Sequence, residues 1–324
     1  MSSLYLGIDT SNYKTSVAVV DGSRTVFEKS EYLEVEHGSR GLRQSEAFFR
    51  HSNRLPSYIE EMCRSVDVSE ICAAGVSTRP RRVEGSYMPC FLAGINAARE
   101  ISSVLGIPLY EFSHQEGHAA AILDDSAESI SGQTALFHLS GGTTEYLICE
   151  PDDEGYSLEI AGGTRDISIG QLIDRTGVAM GYPFPAGAYL DDLAESYYSM
   201  HGRVKPGFIR IKFSEGTFNL SGIETKVLRS IEETLPEDYP FTAYSIFERT
   251  SDLLAASAQF IHDKYGINTV YMAGGVSASS YIRKSISEKL TGTDGLSVIF
   301  GDPVLSGDNA VGTARLARRI HKYR

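Results

Sequence analysis

Apolar residues in this chain occur in two kinds of run that alternate along its length. Short runs rich in Val, Ile, Leu and Ala, bounded by turn residues, predict strands over 4–9, 15–20, 71–76, 108–112, 134–139, 144–149, 157–161, 268–272 and 297–300. Longer stretches with helical spacing predict helices over 45–65, 89–105, 114–123, 168–181, 187–199, 241–265, 279–290 and 308–322. Within 241–265, Phe247, Thr250, Leu254, Ser257 and Ile261 fall on one face, the mark of a packing helix. Pro151-Asp152-Asp153-Glu154-Gly155 reads as a hairpin turn. Strands alternating with helices in this order predict an α/β fold.

One strand–loop–strand pattern occurs twice. Its first copy is Leu6-Gly7-Ile8-Asp9-Thr10-Ser11-Asn12-Tyr13-Lys14-Thr15-Ser16-Val17-Ala18-Val19-Val20. The second is Leu136-Phe137-His138-Leu139-Ser140-Gly141-Gly142-Thr143-Thr144-Glu145-Tyr146-Leu147-Ile148. A turn of Asp, Thr, Ser and Gly offers backbone N–H groups and hydroxyls to a phosphate without a bulky side chain in the way. Two such hairpins predict two halves facing each other across a nucleotide. With 324 residues, two domains are comfortable. The expected division is 1–112 and 113–307, with 308–324 returning to the first domain.

Composition narrows the class. At 42% hydrophobic and 22% charged residues the chain is an ordinary globular protein and not a disordered one. It has no apolar run of membrane-spanning length, and Met1-Ser2-Ser3 opens no signal-peptide pattern, so a cytoplasmic protein without a membrane partner is expected. Cys63, Cys72, Cys90 and Cys149 lack any CxxC spacing and read as buried free thiols in a reducing cytoplasm. A net charge of −12 argues against gripping nucleic acid with the whole surface. A local basic patch would be needed, and Arg79, Arg81 and Arg82 form one on a predicted loop. That cluster suits a phosphate, a tRNA backbone or a substrate carboxylate; the alternative is a salt-bridged loop.

Candidate chemistry centres on His114-Gln115-Glu116-Gly117-His118. On a helix, residues i and i+4 share a face, so both imidazoles can reach one metal ion. Two unrelated polar helix residues would look the same. A zinc protease places Glu directly after the first His as general base. Gln115 holds that place here and cannot take a proton, which argues against a peptidase. A third ligand is required, and Asp308, opening the last helix, is the candidate. Of two glycine-rich stretches, Ala273-Gly274-Gly275-Val276-Ser277-Ala278-Ser279 allows a ring or phosphate close to the backbone, with simple tight packing as the alternative; the other is Ala161-Gly162-Gly163-Thr164. Asp174 and Asp191 are short acids near glycines, suited either to ribose hydroxyls or to helix capping.

Taken in order, Gly7-Ile8-Asp9-Thr10-Ser11, His114-Gln115-Glu116-Gly117-His118, Leu139-Ser140-Gly141-Gly142-Thr143, Asp174, Pro185-Ala186-Gly187, Leu220-Ser221-Gly222-Ile223-Glu224-Thr225-Lys226, Ala273-Gly274-Gly275-Val276-Ser277 and Asp308-Asn309-Ala310 resemble the tRNA N6-threonylcarbamoyladenosine synthase family. This is the TsaD family, once called glycoproteases. The resemblance spans nearly the whole chain. It implies two duplicated actin/Hsp70/sugar-kinase-like domains with a nucleotide cleft between them. It implies one Fe or Zn ion held by His114, His118 and Asp308. It further implies an adenine nucleotide or acyl-AMP contacting Ser140, Gly141, Gly142, Thr143, Asp174, Gly187, Asp191, Gly274, Gly275 and Ser279. The implied reaction transfers a threonylcarbamoyl group from an adenylate to the N6 amine of a tRNA adenosine beside the anticodon, with accessory protein subunits as partners.

The chain departs from the family where acids are usual. Tyr13-Lys14 replaces an Asp-Glu pair, Thr143 a His, Gln171 a Glu and Ser279 an Asn, and Thr78 to Pro89 replaces a Gly-Pro-Gly-Leu loop. Asp9 and Lys14 are the candidate catalytic residues. In sugar-kinase relatives a Lys near this loop contacts phosphates, so Lys14 would favour a more highly charged ligand. These changes point to a diverged paralogue. Three readings stand: transfer to tRNA, carbamoyl transfer to a small molecule, or a silent nucleotide-binding scaffold.

Overall fold

The computed structural model describes residues 3–11, 13–22, 24–34, 42–123, 132–207, 210–293, 295–302, 305 and 310–323. In chain order the elements are β1 (Leu4–Asp9), β2 (Lys14–Asp21), β3 (Arg24–Tyr32), α1 (Gln44–Ser65), β4 (Ile71–Arg79), α2 (Phe91–Leu105), β5 (Leu109–Ser113) and α3 (His114–Leu123). There follow β6 (Thr134–Leu139), β7 (Thr144–Asp152), β8 (Gly155–Thr164), α4 (Ile169–Ala179), α5 (Gly187–His201), β9 (Phe213–Ser214) and β10 (Thr217–Phe218). The chain ends with α6 (Ser221–Glu233), α7 (Tyr239–Tyr265), β11 (Thr269–Ala273), α8 (Ser280–Leu290), β12 (Ser297–Phe300) and α9 (Val311–Tyr323).

Two compact units result. The first comprises Met1–Gly132, Glu150–Leu158 and Asp308–Arg324, and the second Gln133–Cys149 and Glu159–Gly307. This moves the expected division from residue 112 to about residue 132, because α3 packs on α9, β4 and β5 of the first unit. The crossing with α9 is close: a Cβ on Gly312 would lie 1.8 Å from the Gly117 carbonyl oxygen. Arg315, 2% exposed, donates to the Ala121 carbonyl at 2.7 Å. Residues 150–158 join the first unit through Arg82, which donates to Asp152 at 2.9 Å and to the Tyr156 carbonyl at 3.3 Å.

The sheet of the first unit runs β3-β2-β1-β4-β5. β1 pairs antiparallel with β2 and parallel with β4. Every residue of β1 is buried, because α2 and α9 both pack on it. Leu6, Ile8, Val17, Val19, Val76, Tyr58 and Met62 belong to this core. In the second unit the sheet order is β12-β11-β6-β7-β8-β10-β9. Its core gathers Phe137, Tyr146, Phe247, Leu254, Val270, Met272 and Tyr281.

Helix ends follow local chemistry. α4 starts at a full capping box between Ser168 and Gln171, while α2 and α7 stop at the left-handed Gly106 and Gly266. Four elements were not anticipated: β3, the two-residue strands β9 and β10, and α6. β3 is a polar edge strand in which Phe27 is the buried residue, and α6 buries only Val227 and Ile231. Among the described residues no helix is long and apolar enough to cross a membrane. All four cysteines are free; Cys90 and Cys149 are buried as expected, but Cys72 is half-buried and Cys63, on α1, is exposed.

Candidate functional site

In the first unit the chain turns from β5 directly into α3. Ser113 and Glu116 form the reciprocal capping pattern: Glu116 accepts from the Ser113 N–H at 2.8 Å and hydroxyl at 2.7 Å, and its own N–H donates to Ser113 Oγ at 3.2 Å. Glu116 is 1% exposed. Burial raises its pKa; the Ser113 bonds and the Arg82 charge oppose that rise. The middle of the His-Gln-Glu-Gly-His motif is therefore structural, with Glu116 starting the helix and Gly117 admitting α9. The outer residues, His114 and His118, share one face of the helix, as the i, i+4 spacing predicts.

His114 Nε2 and His118 Nε2 converge at 2.9 Å. His114 Nδ1 faces Asp9 Oδ2 at 2.8 Å, and the buried carboxylate also accepts from the Ser11 N–H at 2.8 Å. Burial alone would raise the Asp9 pKa. The His114 charge and hydrogen bond, with further bonds from Ser77 and Ser11, overcome it and bring the carboxyl down to about 2. An ionised Asp9 on Nδ1 fixes the tautomer that leaves a lone pair on His114 Nε2. Two bare imidazole nitrogens this close repel unless a proton or cation lies between them. An ion bound by both lone pairs would relieve that repulsion, and imidazole nitrogens are the donors Fe and Zn take. The pair therefore fits a metal. Among the described residues no set of three His, Cys, Asp or Glu is assembled, and Asp308, the expected third ligand, lies outside them.

Asp9, expected as a catalytic residue, is thus placed as the orienting partner of a histidine. Its loop also departs from expectation. Asp9, Thr10 and Ser11 are 1%, 0% and 4% exposed and bind protein groups instead of facing outward. Thr10 Oγ1 donates to the Cys90 carbonyl at 3.1 Å and accepts from the Gly94 N–H at 3.1 Å, tying the loop to α2. Thr15 Oγ1 meets Nδ1 of the fully buried His51 at 2.9 Å. Burial, the largest influence, lowers the His51 pKa to about 4. Lys14 lies with Nζ 5.2 Å from the centre of the Tyr32 ring, a cation–π contact on the sheet edge.

The arginine loop divides. Arg82 is held by Asp152, Glu154, Glu116 and the Tyr156 carbonyl, so its charge is already matched and the salt-bridge reading holds for it. The Arg81 backbone N–H donates to Ser86 Oγ at 3.0 Å, and Arg79 Nε is buried without a partner among the described residues.

In the second unit, β6 and β7 are joined by the open turn Ser140–Thr143. The Ser140 N–H donates to the Thr143 carbonyl at 2.8 Å, and the Thr143 N–H to Ser140 Oγ at 3.0 Å. Gly141 and Gly142 are exposed, with nothing within 4 Å of where a Cβ would be. The turn is braced from both sides. Ser168 Oγ donates to the Gly141 carbonyl at 2.7 Å, and Gly274, at φ +99°, lies so close that a Cβ there would be 2.3 Å from the Leu139 oxygen. The Ser140–Thr143 and Gly274–Gly275 turns are therefore neighbours. Gln171, noted above as a departure, serves as the reciprocal cap of α4.

The two acids expected at ribose are both helix caps. Asp174 accepts from the Ala186 N–H at 2.8 Å, at the head of α5 beside Gly187. Burial raises its pKa, opposed by the Ala186 and Gly187 amides. Asp191 accepts from the Ser280 N–H at 2.8 Å, the Tyr281 N–H at 3.1 Å and the Ser279 hydroxyl, fixing the start of α8. Ser168 escaped the sequence reading, although Ser168-x-x-Gln171 is itself a capping signature.

Comparison with known proteins agrees with this picture. The profile of the TsaD family, described as tRNA N6-adenosine threonylcarbamoyltransferase, matches residues 30–315. Enzymes of that name from Bacillus subtilis and Thermotoga neapolitana are each 28% identical to it. The alignments cover 94% and 96% of this chain, and 87% and 92% of those proteins. Among solved structures, HypF from T. kodakarensis superposes with a TM-score of 0.62 at 14% identity, over 98% of this chain and 48% of that longer one. A ROK family glucokinase from Streptomyces griseus, in complex with glucose and AMPPNP, gives 0.52 at 14% identity, over 98% of this chain and 100% of that one. At such identities these neighbours establish the fold, the actin/Hsp70/sugar-kinase-like architecture. The profile match across most of the sequence settles the kinship: the chain belongs to the TsaD family.

Proposed function

We propose that the chain is an acyltransferase that moves a threonylcarbamoyl group from its AMP anhydride to the N6 amine of a tRNA adenosine next to the anticodon. The observation that carries this reading is the His114–His118 pair, converged at 2.9 Å and oriented by Asp9, in a member of the TsaD family. His114, His118 and Asp308 would hold one Fe or Zn ion. Bound there, such an ion would act as a Lewis acid toward the carbamoyl donor.

The protein's own residues supply positioning. The exposed Gly141 and Gly142 amides meet a phosphate of the adenylate, with Ser140 and Thr143 closing the turn around it. Gly274 and Gly275 let the nucleotide approach the backbone, and the lone pairs that capping leaves on Asp174 and Asp191 accept from ribose hydroxyls. Held in place, the donor reacts as a unimolecular partner. The N6 amine forms the new C–N bond to the carbamoyl carbon, AMP departs with the anhydride oxygen, and the amine proton passes to solvent. The chain works in the cytoplasm with accessory subunits, since a net charge of −12 opposes unaided tRNA binding.

A second reading, transfer to a small acceptor, is favoured by one observation. Tyr13-Lys14 replaces the family's acidic pair, and Lys14 places a cation beside Tyr32 at the first loop. The deciding assay supplies threonylcarbamoyl-AMP, unmodified tRNA and candidate accessory proteins, and measures modified adenosine by mass spectrometry. Product from the wild type supports the first reading. Product only from Tyr13→Asp/Lys14→Glu marks a diverged paralogue, transfer to a small acceptor supports the second reading, and nucleotide binding without either reaction leaves a scaffold.

A further inference from the structure

A second concave site lies in the second unit, at the head of α6. Arg165, Lys212, Ser214, Thr217, Phe218 and Asn219 line a cavity of about 370 Å³. The framework around it is fixed by backbone. β10 pairs in parallel with β8, Thr217 opposite Gly163, and antiparallel with β9, Thr217 opposite Ser214. The two-residue turn between β9 and β10 is Glu215-Gly216, at φ +49° and +80°, both left-handed as a tight hairpin with sheet-compatible twist requires. The Gly216 carbonyl accepts from the Gly163 N–H at 2.9 Å, and the Arg165 N–H donates to the Phe218 carbonyl at 2.9 Å. Ser214, Thr217 and the base of Arg165 are therefore held in place.

The charges are arranged unusually for so acidic a chain. Arg165 and Lys212 are exposed, and neither side chain makes a hydrogen bond or ion pair with any described residue. Asp166, next to Arg165, is turned the other way: its oxygens accept from the Leu220 N–H at 2.8 Å and the Ser221 N–H at 3.0 Å, capping α6. The Ser214 hydroxyl and the Asn219 amide likewise have no partner among the described residues. Two cations and two neutral hydrogen-bonding groups thus surround one concavity. Its volume falls within the ~300–1,000 Å³ typical of ligand pockets, roomier than one small ion needs. No acidic group lies in the lining, and Phe218, its aromatic member, is only 2% exposed.

We propose that this cavity docks the phosphodiester backbone of a polynucleotide, with Arg165 and Lys212 supplying charge and Ser214 and Asn219 neutral hydrogen bonds. The proposal rests on the reading that the acceptor is tRNA. Phosphate contacts of this kind position a nucleic acid without reading its sequence. They also give a salt dependence of about −0.7 to −0.9 in log K against log salt for each phosphate neutralised.

The test measures binding of an unmodified tRNA transcript to the full chain, together with the candidate accessory proteins, by fluorescence anisotropy across a low-salt series, with thermal melting to confirm folding. Arg165→Gln/Lys212→Gln should weaken binding about tenfold and flatten the salt slope by about 1 to 2. Lys212→Arg should keep the wild-type slope. Unchanged affinity and slope in the double variant would overturn the proposal. So would loss of inorganic phosphate binding, followed by phosphorus NMR, with tRNA binding intact, since the cavity would then serve a free anion. If the transfer assay yields modified adenosine while the slope is unchanged, the docking site alone fails. If the slope falls while no adenosine is modified, docking stands and the reaction assigned above fails.

Discussion

Replacing Gly312 by Ala puts two opposed effects on one methyl group. An isolated helix gains up to ~1 kcal/mol from Gly→Ala, and less near its end, where Gly312 is the second residue of α9. The new Cβ, however, would lie 1.8 Å from the Gly117 carbonyl oxygen and 2.7 Å from the Ala121 nitrogen, whereas real Cβ atoms essentially never come within 3.0 Å of such atoms. These are backbone atoms of a buried helix and cannot rotate away, so α3 and α9 must separate by about 1 Å. Overpacking of this kind costs ~1–3 kcal/mol, which exceeds the propensity gain. Gly312→Ala should lose ~1–2 kcal/mol in urea unfolding at unchanged m-value, and its metal content should fall because α3 carries both histidines. Gly222, also the second residue of its helix, is the matched control: nothing lies within 4 Å of its Cβ position, so Gly222→Ala should be neutral or stabilising. A Gly312→Ala protein as stable as the wild type would refute the close crossing.

Three other outcomes follow from the same geometry. His51 is neutral in the fold, with a pKa lowered to about 4 from 6.5, so on acidification the unfolded chain takes up the proton first. The stability it contributes is complete above pH 6.5 and declines by roughly 3 kcal/mol as pH falls toward about 4; the wild-type minus His51→Gln difference in unfolding free energy should show that slope, and a flat difference would remove His51 from the account. Elemental analysis after chelator-free purification should find one Fe or Zn, absent in His118→Ala, with affinity reduced ~10–100-fold in Asp9→Asn; a metal-free wild type would sink the metal site. Asp191→Ala should lose ~1–2 kcal/mol of stability from the cap of α8, and both Asp191→Ala and Asp174→Ala should weaken AMP binding by ~1–3 kcal/mol in calorimetric titration; unchanged AMP affinity in either would take that residue out of the site.

The sheets and most helices were legible because burial on both faces leaves continuous apolar runs such as Leu4–Asp9 and Ile71–Arg79. β3 hid because Arg24, Glu28, Lys29 and Glu31 give an edge strand a polar surface, and α6 hid because so little of it is buried. The histidine pair was legible, since helical spacing alone puts both rings on one face. What Asp9, Asp174 and Asp191 do was not. A short carboxylate near a glycine suits a ribose, a metal-bound histidine or a helix N-terminus equally well, and only the positions of distant amides and rings decide. The first hairpin shows the same limit. Its composition matches the open second turn, yet α2 and His114 take up its polar groups. Spacing placed the division of the chain too early because α3 carries no sign in its own sequence that α9 will cross it.

That crossing sets an order of events during synthesis. α9 leaves the ribosome after every residue of the second unit, yet it packs on β1, which is made before all of them. The second unit has its own sheet and core and can close while the chain is still attached. The first unit cannot. Until α9 arrives, the face of β1 and β4 that it covers and the flank of α3 stay open to solvent, and the helix that carries the two histidines rests on β4 and β5 without its partner helix. A nascent chain therefore passes through a stage in which the second unit is formed while the histidine site is not. The close α3–α9 crossing, and with it the seat of both rings, is complete only once α9 has docked.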